Sequence, residues 1–348
     1  MPRTCSIKHS PPSGPHRLRN LGCVSIAFTK GHGTENDFVL LDDPDGEIDL
    51  TPQLIRQLAD RRAGLGADGV IRVVRTARLG SAGLAGSAGP AGSAGLADST
   101  GSAAASSAEP ADDDVPEWFM DYWNADGSAA EMCGNGVRVF VTHLIRRGWM
   151  DLPDGGEQSI ATRNGVKAVT RRGDRIGADL GPWRVVGGPT AVAGGGDVKV
   201  LLPGLPPLPG LSVELGNPHV VVVIPDVETL EAIDLSVPPV VDPRPVNGTN
   251  VELVVPMHDQ QVRGELGHLR MRVFERGSGE TRSCGTGAVA AALAARAFGG
   301  ETAPDHWRID VPGGTVQVST QGTATEGRVA ALSGPAVIVA EGAWIAPL

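Results

Sequence analysis

The sequence is poor in cysteine and tyrosine and contains no long apolar run. Its four cysteines, at positions 5, 23, 133 and 284, are too few for the disulfide framework of a small secreted protein. No stretch approaches the ~20 apolar residues that a transmembrane helix needs. The N-terminal residues also lack the apolar core of a secretory signal. We therefore expect a cytoplasmic protein with a reduced pair of thiols and no membrane partner.

The sequence also lacks an excess of basic residues and the cysteine and histidine spacings that are typical of metal sites. Forty acidic residues against 30 basic ones give a net charge of −10, which argues against a dedicated nucleic-acid or anionic-membrane binder. The sequence contains no C-x-x-C and no His-x-x-x-His, so we expect no zinc or other metal site. With 348 residues, of which 41% are hydrophobic and 20% charged, the chain is long enough for two soluble domains.

Two segments differ in composition from the rest. Residues 1–25 are rich in proline and serine, and we expect a disordered N-terminal extension. From about 79 to 114 the sequence is almost all alanine, glycine and serine, with GSAG at 86 and 92. This segment has too little apolar bulk to offset its ordering entropy, and its glycines disfavour the alternative of a polyalanine helix. We expect a flexible surface insertion there.

Regular structure is predicted around these segments. Residues 38–43, 69–75 and 118–124 are typical of strands, and 51–62 predicts a helix with Thr51 as N-cap. A hairpin is predicted over 159–172, with Asn164-Gly165 as its turn, and a second one over 307–319. Helical patterns follow both Cys133 and Cys284. The first has one apolar face and stops at Gly148, whereas the second is apolar nearly all round until Gly299-Gly300.

The two cysteine segments are similar to each other. MDYWNADGSAAEMCGNG and MRVFERGSGETRSCGTG both place a methionine 13 residues before a cysteine that opens a Gly-polar-Gly run. Upstream, Asn36 precedes one apolar strand and Asn217 precedes another. The similarity predicts an α/β fold made of two homologous, pseudo-symmetric halves that face each other across a cleft.

Cysteines at helix N-termini favour a specific chemistry. The helix dipole and free N–H groups lower a thiol pKa, so we expect thiolate at neutral pH, and the adjacent glycines leave amides open to a carboxylate. Two such thiols on opposite faces of an α-carbon suit a two-base racemase or epimerase. A lone cysteine of this kind is usually a small buried apolar residue, but the repetition disfavours that interpretation. A dithiol redox or binding protein remains an alternative.

Six ordered motifs resemble the diaminopimelate epimerase family: HGTENDF (32–38), GLGADG (64–69), NADGSAAEMCGNG (124–136), GNPH (216–219), GTNVE (248–252) and ERGSGETRSCGTG (275–287). The resemblance implies epimerisation of L,L- to meso-diaminopimelate in lysine and peptidoglycan synthesis, without pyridoxal phosphate, metal or any other cofactor. It also implies a homodimer. The implied fold has a sheet wrapped around a central helix in each half. We accordingly divide the chain into 26–177, 178–336 and a segment, 337–348, that returns to the first half.

The resemblance also implies the roles of individual residues. Cys133 and Cys284 would be the acid/base pair, with His219 and Glu275 tuning their pKa values. The amides of Gly134, Asn135, Gly285 and Thr286 would hold the reacting carboxylate. The remaining substrate contacts would come from Asn36, Asn124, Asn217, Asn250, Glu275 and Arg276.

The chemistry of these residues is consistent with that assignment. Arg276 suits a bidentate grip on a distal carboxylate, and the asparagine amides can both donate and accept hydrogen bonds. Gly69 stands where some family members have a glutamine that contacts substrate, so a contact there would be by backbone or water. A related proline or hydroxyproline racemase is a second alternative, which Arg276 and Asn250 disfavour. Related dehydratases and isomerases lack the cysteine pair.

Overall fold

Two halves with the same strand order make up the chain, as a computed structural model shows. The model describes residues 25–79, 115–257, 266–320 and 330–345. The predictions of a disordered N-terminus and of a flexible Ala/Gly/Ser insertion fall on residues outside these ranges, apart from Ser25 and Leu79. The first half contains β1 (Ser25–Gly33), β2 (Asn36–Asp42), α1 (Pro52–Ala59), β3 (Gly69–Arg75), β4 (Trp118–Asn124), α2 (Gly134–Arg146), β5 (Glu157–Thr162), β6 (Gly165–Arg172) and β7 (Arg175–Asp179).

The second half begins with β8 (Arg184–Val185), α3 (Gly188–Ala193), β9 (Val198–Leu201), β10 (Leu208–Glu214), β11 (Pro218–Val223), α4 (Val227–Ala232) and β12 (Val240–Asp242). It continues with β13 (Asn250–Pro256), β14 (Leu266–Glu275), β15 (Gly279–Thr281), α5 (Gly285–Gly299), β16 (His306–Val311), β17 (Gly314–Ser319) and β18 (Ala331–Pro335). The last strand is β19 (Val337–Ile345), and short 3₁₀ turns occur at Thr76–Arg78 and Gly300–Thr302.

The pairing of the strands repeats from one half to the other. In the first half, β1 to β7 pair in sequence order, and β2–β3 and β4–β5 are the parallel pairs. In the second half, β10, β11, β13, β14, β16, β17 and β18 pair in that order, with β11–β13 and β14–β16 parallel. Each parallel pair needs a crossover, and α2 and α5 supply the equivalent ones that follow the cysteines. The predicted two-half fold is confirmed.

The two sheets join through their equivalent last strands. β7 pairs antiparallel with β18, with Gly177 opposite Ser333. The chain then crosses back, because β19 pairs antiparallel with β1 at the far edge of the first half. This arrangement places the two cysteine-bearing helices beside the junction.

Each central helix is the middle of a separate core. α2 buries Val137, Phe140, Val141 and Leu144 against β2, β3 and β4. α5 buries its small side chains from Ala288 to Ala294 on all sides, since alanine and glycine allow the surrounding strands to approach closely. The helices α1 and α4 cover the opposite sheet faces, each with its own apolar cluster.

Two local predictions need correction. Helix α1 begins as predicted, with Thr51 Oγ1 accepting from Leu54 N, but it ends at Ala59 rather than Arg62. It ends there because the carboxylate of Asp60 accepts hydrogen bonds from Arg62 N and Ala63 N, which draws the chain into a turn. In the β5–β6 hairpin, Thr162 is opposite Gly165, so the turn residues are Arg163-Asn164 rather than Asn164-Gly165.

Candidate active site

Cys133 and Cys284 occupy equivalent positions in the two halves. Each is the N-cap of its central helix with an extended backbone, φ −134° and ψ 120° at Cys133, and φ −120° and ψ 118° at Cys284. In both cases the cysteine carbonyl accepts the first helical hydrogen bond, from Val137 N and Ala288 N. The N–H groups of the residues immediately after each cysteine therefore have no intrahelical partner.

The two helix N-termini lie close to each other. A methyl group added at Gly134 would lie 3.0 Å from Leu332 Cδ2, and one added at Gly285 would lie 3.0 Å from the same atom. The methyl at Gly285 would also lie 3.3 Å from the backbone nitrogen of Asn135. Because both glycines lack side chains, the two helix N-termini approach closely, and backbone amides from both halves lie in one small, largely buried region. Such a region is suited to an anion.

Two amide side chains surround Cys133. Its Sγ lies 3.7 Å from Asn36 Oδ1, which accepts the thiol hydrogen. The same Oδ1 accepts from Asn135 Nδ2 at 3.2 Å, and Asn135 Nδ2 also donates to Ser283 O at 3.1 Å. Asn135 is fully buried and so connects the first cysteine to the residue preceding the second. The prediction concerned the backbone amide of Asn135; its side chain, in addition, forms a contact between the two halves.

Cys284 has a different set of contacts. Its Sγ accepts a hydrogen bond from Gly287 N at 3.4 Å and lies 3.6 Å from Thr286 Oγ1. Asn217 Nδ2 in turn donates to Thr286 Oγ1 at 3.4 Å. The predicted residues Asn217, Cys284 and Thr286 are thus in one connected group.

Three titratable residues lie behind Cys284. His219 Nδ1 is 2.7 Å from Glu252 Oε1, and neither side chain is exposed. His219 Nε2 lies 3.0 Å from Asn217 Oδ1, so the imidazole holds the asparagine that contacts Thr286. Glu275 accepts a short hydrogen bond from Thr281 Oγ1. Burial raises the pKa of Glu275, whereas Thr281, Cys284 and the His219 imidazole lower it.

Burial controls the protonation of both thiols. It raises the pKa of Cys133 to about 11, and the N–H groups of Gly136 and Asn135 and the charge of Arg138 oppose that increase. Burial also raises the pKa of Cys284 well above its usual value, and the carboxylates of Glu275 and Glu252 raise it further. The prediction of a thiolate at neutral pH is therefore wrong for this structure. The helix amides lower the thiol pKa values, as predicted, but desolvation of the sulfur raises them by more.

Asn124 and Gly69 lie on the same side of the site. Asn124 Oδ1 accepts from Tyr122 Oη at 3.1 Å, and the register places Asn124 opposite Gly69. A side chain at Gly69 would begin 2.5 Å from Tyr122 Cε2, so the tyrosine ring occupies the space that a glutamine would need. Burial raises the pKa of Tyr122, and the charges of the two cysteines raise it further. The phenol therefore lies close enough to both sulfurs to interact with them electrostatically.

Asn250 and Arg276 are also brought together. Asn250 is buried and accepts a hydrogen bond from the backbone N–H of Arg276 at 2.9 Å. The exposed guanidinium of Arg276 donates to Asn247 O at 2.8 Å. The buried side chain of Asn250 thus fixes the backbone beside Glu275, and the guanidinium of Arg276 is exposed to solvent.

Several residues of the site were not identified from the sequence. Glu252 contacts His219, Ser283 contacts Asn135, and Thr34 Oγ1 lies 2.6 Å from Ser283 Oγ. Arg138 is fully buried beneath Asn135. Glu252 ends the GTNVE motif and Arg138 lies two positions after CGNG, so proximity to a motif was the available signal in these two cases.

The family model and two curated relatives that match this chain all belong to one family. The family model for diaminopimelate epimerase matches residues 93–186 and 211–339. A diaminopimelate epimerase of Thermobifida fusca is 43% identical over 319 residues, which cover 91% of this chain and 97% of that protein. The diaminopimelate epimerase of Streptomyces coelicolor is also 43% identical, over 333 residues, with coverage of 92% and 97%.

Solved structures show the same fold at low sequence identity. A PhzF-family phenazine biosynthesis protein of Bacillus anthracis aligns with a TM-score of 0.58 at 16% identity, covering 92% of this chain and 99% of its own. A hydroxyproline epimerase from Agrobacterium vitis, solved with bound trans-4-hydroxy-L-proline, aligns with a TM-score of 0.55 at 14% identity, covering 92% of each chain. At these identities the similarity concerns the fold alone.

Proposed function

The chain belongs to the diaminopimelate epimerase family, and from this premise we propose that it converts L,L-diaminopimelate into the meso form with Cys133 and Cys284 as acid and base. The observation that carries the proposal is the pair of cysteines at equivalent helix N-termini, which bring backbone amides of both halves close together. The reaction would serve lysine and peptidoglycan synthesis, which is the role of the family.

The proposed chemistry moves one proton off the α-carbon and another onto it. One sulfur, as thiolate, takes the α-hydrogen, and the electron pair of the broken C–H bond is left on the α-carbon and its carboxylate. The amides of Gly134, Asn135, Gly285 and Thr286 would stabilise that negative charge. The second sulfur, as thiol, then supplies its proton to the opposite face, so the configuration inverts and the two cysteines exchange protonation states.

The raised thiol pKa values fit this exchange. A thiol that is protonated in the free enzyme is a competent acid, and a thiolate formed in a desolvated site is a strong base. One of the pair must be ionised when substrate arrives. The substrate ammonium group and the helix amides would favour that ionisation once the site is closed to water.

The distal end of the substrate would be recognised at the second half. A second amino-acid end carries a carboxylate and an ammonium group, which the exposed guanidinium of Arg276 and the amides of Asn217 and Asn250 would bind. The proposal requires no metal or cofactor, because the two thiols supply both proton transfers. The related proline or hydroxyproline racemase activity would not use a cation placed for a distal carboxylate.

Two further proposals concern the state of the protein. We propose a cytoplasmic location, because both described cysteines are free thiols and the chemistry needs them reduced. We also propose a homodimer, supported by apolar side chains exposed on β19, where Val339 is 54% and Ile345 66% exposed. Among the described residues, no helix is long and apolar enough to cross a bilayer. Light scattering after gel filtration would test the dimer.

The activity is tested by isotope exchange. The purified, fully reduced protein is incubated with L,L-diaminopimelate in deuterated water, and the products are separated and analysed by mass spectrometry and proton NMR. We expect the meso product to carry one deuterium at one α-carbon. Absence of both product and deuterium would refute the proposal. Solvent exchange into L-proline or hydroxyproline instead would favour the racemase alternative.

A further inference from the structure

Arg138 is a buried cation without a carboxylate partner. Its side chain is fully buried, and it is the fifth residue of α2, at the end of the CGNGVR run. The guanidinium donates to Pro335 O at 2.9 Å, to Thr34 Oγ1 at 3.1 Å and to Asn135 Oδ1. Its Nε has no partner, and no carboxylate of the described residues forms an ion pair with it. Burying a charge without an ion partner costs folding free energy. We therefore expect this arginine to have a role other than stabilising the fold.

The surroundings are shaped around the guanidinium. A methyl group added at Gly334 would lie 2.2 Å from its NH1, and one added at Gly33 would lie 3.1 Å from its NH2. Gly33 ends β1, Thr34 lies in the turn to β2, and Gly334 lies in β18 of the other half. Two glycines thus leave room for the arginine where the halves meet.

The position has no charged counterpart in the second half. Aligning the two N-cap cysteines places Val289 in α5 at the position of Arg138. Conversely, aligning β2–β3 with β11–β13 places Phe38 and Ile71 where the second half has His219 and Glu252. Glu275 therefore acts on both cysteines, but only Cys133 has the buried cation Arg138 nearby and only Cys284 has Glu252.

Arg138 and Asp68 together determine how the two amides beside Cys133 are oriented. A guanidinium can only donate, so Asn135 must direct Oδ1 toward it and Nδ2 toward Asn36. A carboxylate can only accept, so Asn36 must direct Nδ2 toward Asp68 Oδ2, at 2.7 Å, and Oδ1 toward Cys133. Both amide orientations at the first cysteine are thus fixed by charged groups at the two ends of one chain of hydrogen bonds.

We propose that Arg138 is a positioning residue: its buried guanidinium orients the Asn135 amide toward Asn36 and places a positive charge at the end of the hydrogen-bond chain that reaches the Cys133 sulfur. The inference rests on the proposed function and extends it to the control of one of its two thiols. The titratable groups facing Cys133 are Arg138 from its own helix, Tyr122 from β4 and Glu275 from β14. Of these, Arg138 lowers the pKa of Cys133 and Glu275 raises it.

The test compares charge removal with charge retention in the full-length reduced protein. Arg138→Met and Arg138→Gln remove the charge, and Arg138→Lys retains it. The control is Arg72→Met, which removes a largely buried arginine on β3 that is ion-paired with Asp121. Iodoacetamide is added between pH 7 and 10.5, and the alkylation rates of Cys133 and Cys284 are read separately from their peptides by mass spectrometry.

We expect the neutral variants to slow alkylation of Cys133 at pH 8.5 by at least about threefold, with little change at Cys284. The lysine variant and Arg72→Met should stay close to the wild-type rate at Cys133. Unchanged Cys133 rates in the neutral variants, equal changes at both cysteines, or a lysine variant as slow as methionine would overturn the inference. Alkylation needs no diaminopimelate, so this result stands apart from the presence or absence of epimerase activity.

Discussion

The buried pair of His219 and Glu252 gives the sharpest stability prediction. Both side chains are 0% exposed, and 2.7 Å separates Nδ1 from Oε1. The Glu252→Ala substitution would leave the imidazole without its partner in a dry site. Breaking a buried pair in this way typically costs about 3–5 kcal/mol. We therefore expect the free energy of unfolding to fall by at least about 3 kcal/mol, which changes the unfolding equilibrium by more than a factor of about 100.

Urea unfolding followed by tryptophan fluorescence measures this change. Glu252→Gln keeps an acceptor for His219 Nδ1, so its free energy of unfolding should fall by less, about 1–2 kcal/mol. Glu231→Gln is the matched control, because Glu231 and Arg270 form an exposed pair worth no more than about 1 kcal/mol. If Glu252→Ala is as stable as Glu231→Gln, the buried pair does not hold His219 and the reasoning is refuted. Removal of the carboxylate should also lower the pKa of Cys284 and speed its alkylation at fixed pH.

Three other predictions follow from the same contacts. Arg276→Ala should raise KM for diaminopimelate about tenfold or more while Arg276→Lys raises it less, since a charge-assisted contact to the distal carboxylate is worth about 1.5–3 kcal/mol; an unchanged KM in steady-state kinetics would exclude that contact. Gly285→Ala should lower kcat/KM at least about tenfold, because the added methyl would lie 3.3 Å from Asn135 N among the anion-binding amides, and wild-type kinetics would contradict it. The folded-state pKa of Cys133, about 11, lies above that of an unfolded cysteine, so its contribution to stability is complete below pH ~8.5 and is lost as pH rises toward 11. Urea unfolding should show a loss of about 1.4 kcal/mol per pH unit in that window from this thiol, and Cys133→Ala should remove this part of the pH dependence.

The fold was largely predictable because the duplication is visible in the sequence. Cys133 and Cys284 follow Met120 and Met271 at equal distances, and periodicity distinguishes the amphipathic α2 from the buried α5. The strands and the N-terminal start of α1 follow from local patterns. The end of α1 does not, because the side chain of Asp60 competes with the helix for backbone N–H groups.

The interior of the site was less predictable, because its contacts join distant parts of the chain. An arginine within a helix is normally exposed, and the burial of Arg138 depends on Thr34 and Pro335, the latter 197 residues away. Asn135 meets Ser283 across 148 residues, which no local pattern reports. The protonation of the thiols depends on how completely the two halves exclude water, so the helix dipole alone predicted the wrong direction.

The central claim is that both sulfurs take part in one proton exchange, and single cysteine variants test it most directly. Cys133→Ala and Cys284→Ala are each assayed for conversion of L,L-diaminopimelate to the meso form, with folding checked by circular dichroism. We predict that each variant loses at least about a hundredfold in kcat, because either loss removes the acid or the base from one face of the α-carbon. Wild-type turnover in either folded variant would contradict the two-thiol mechanism.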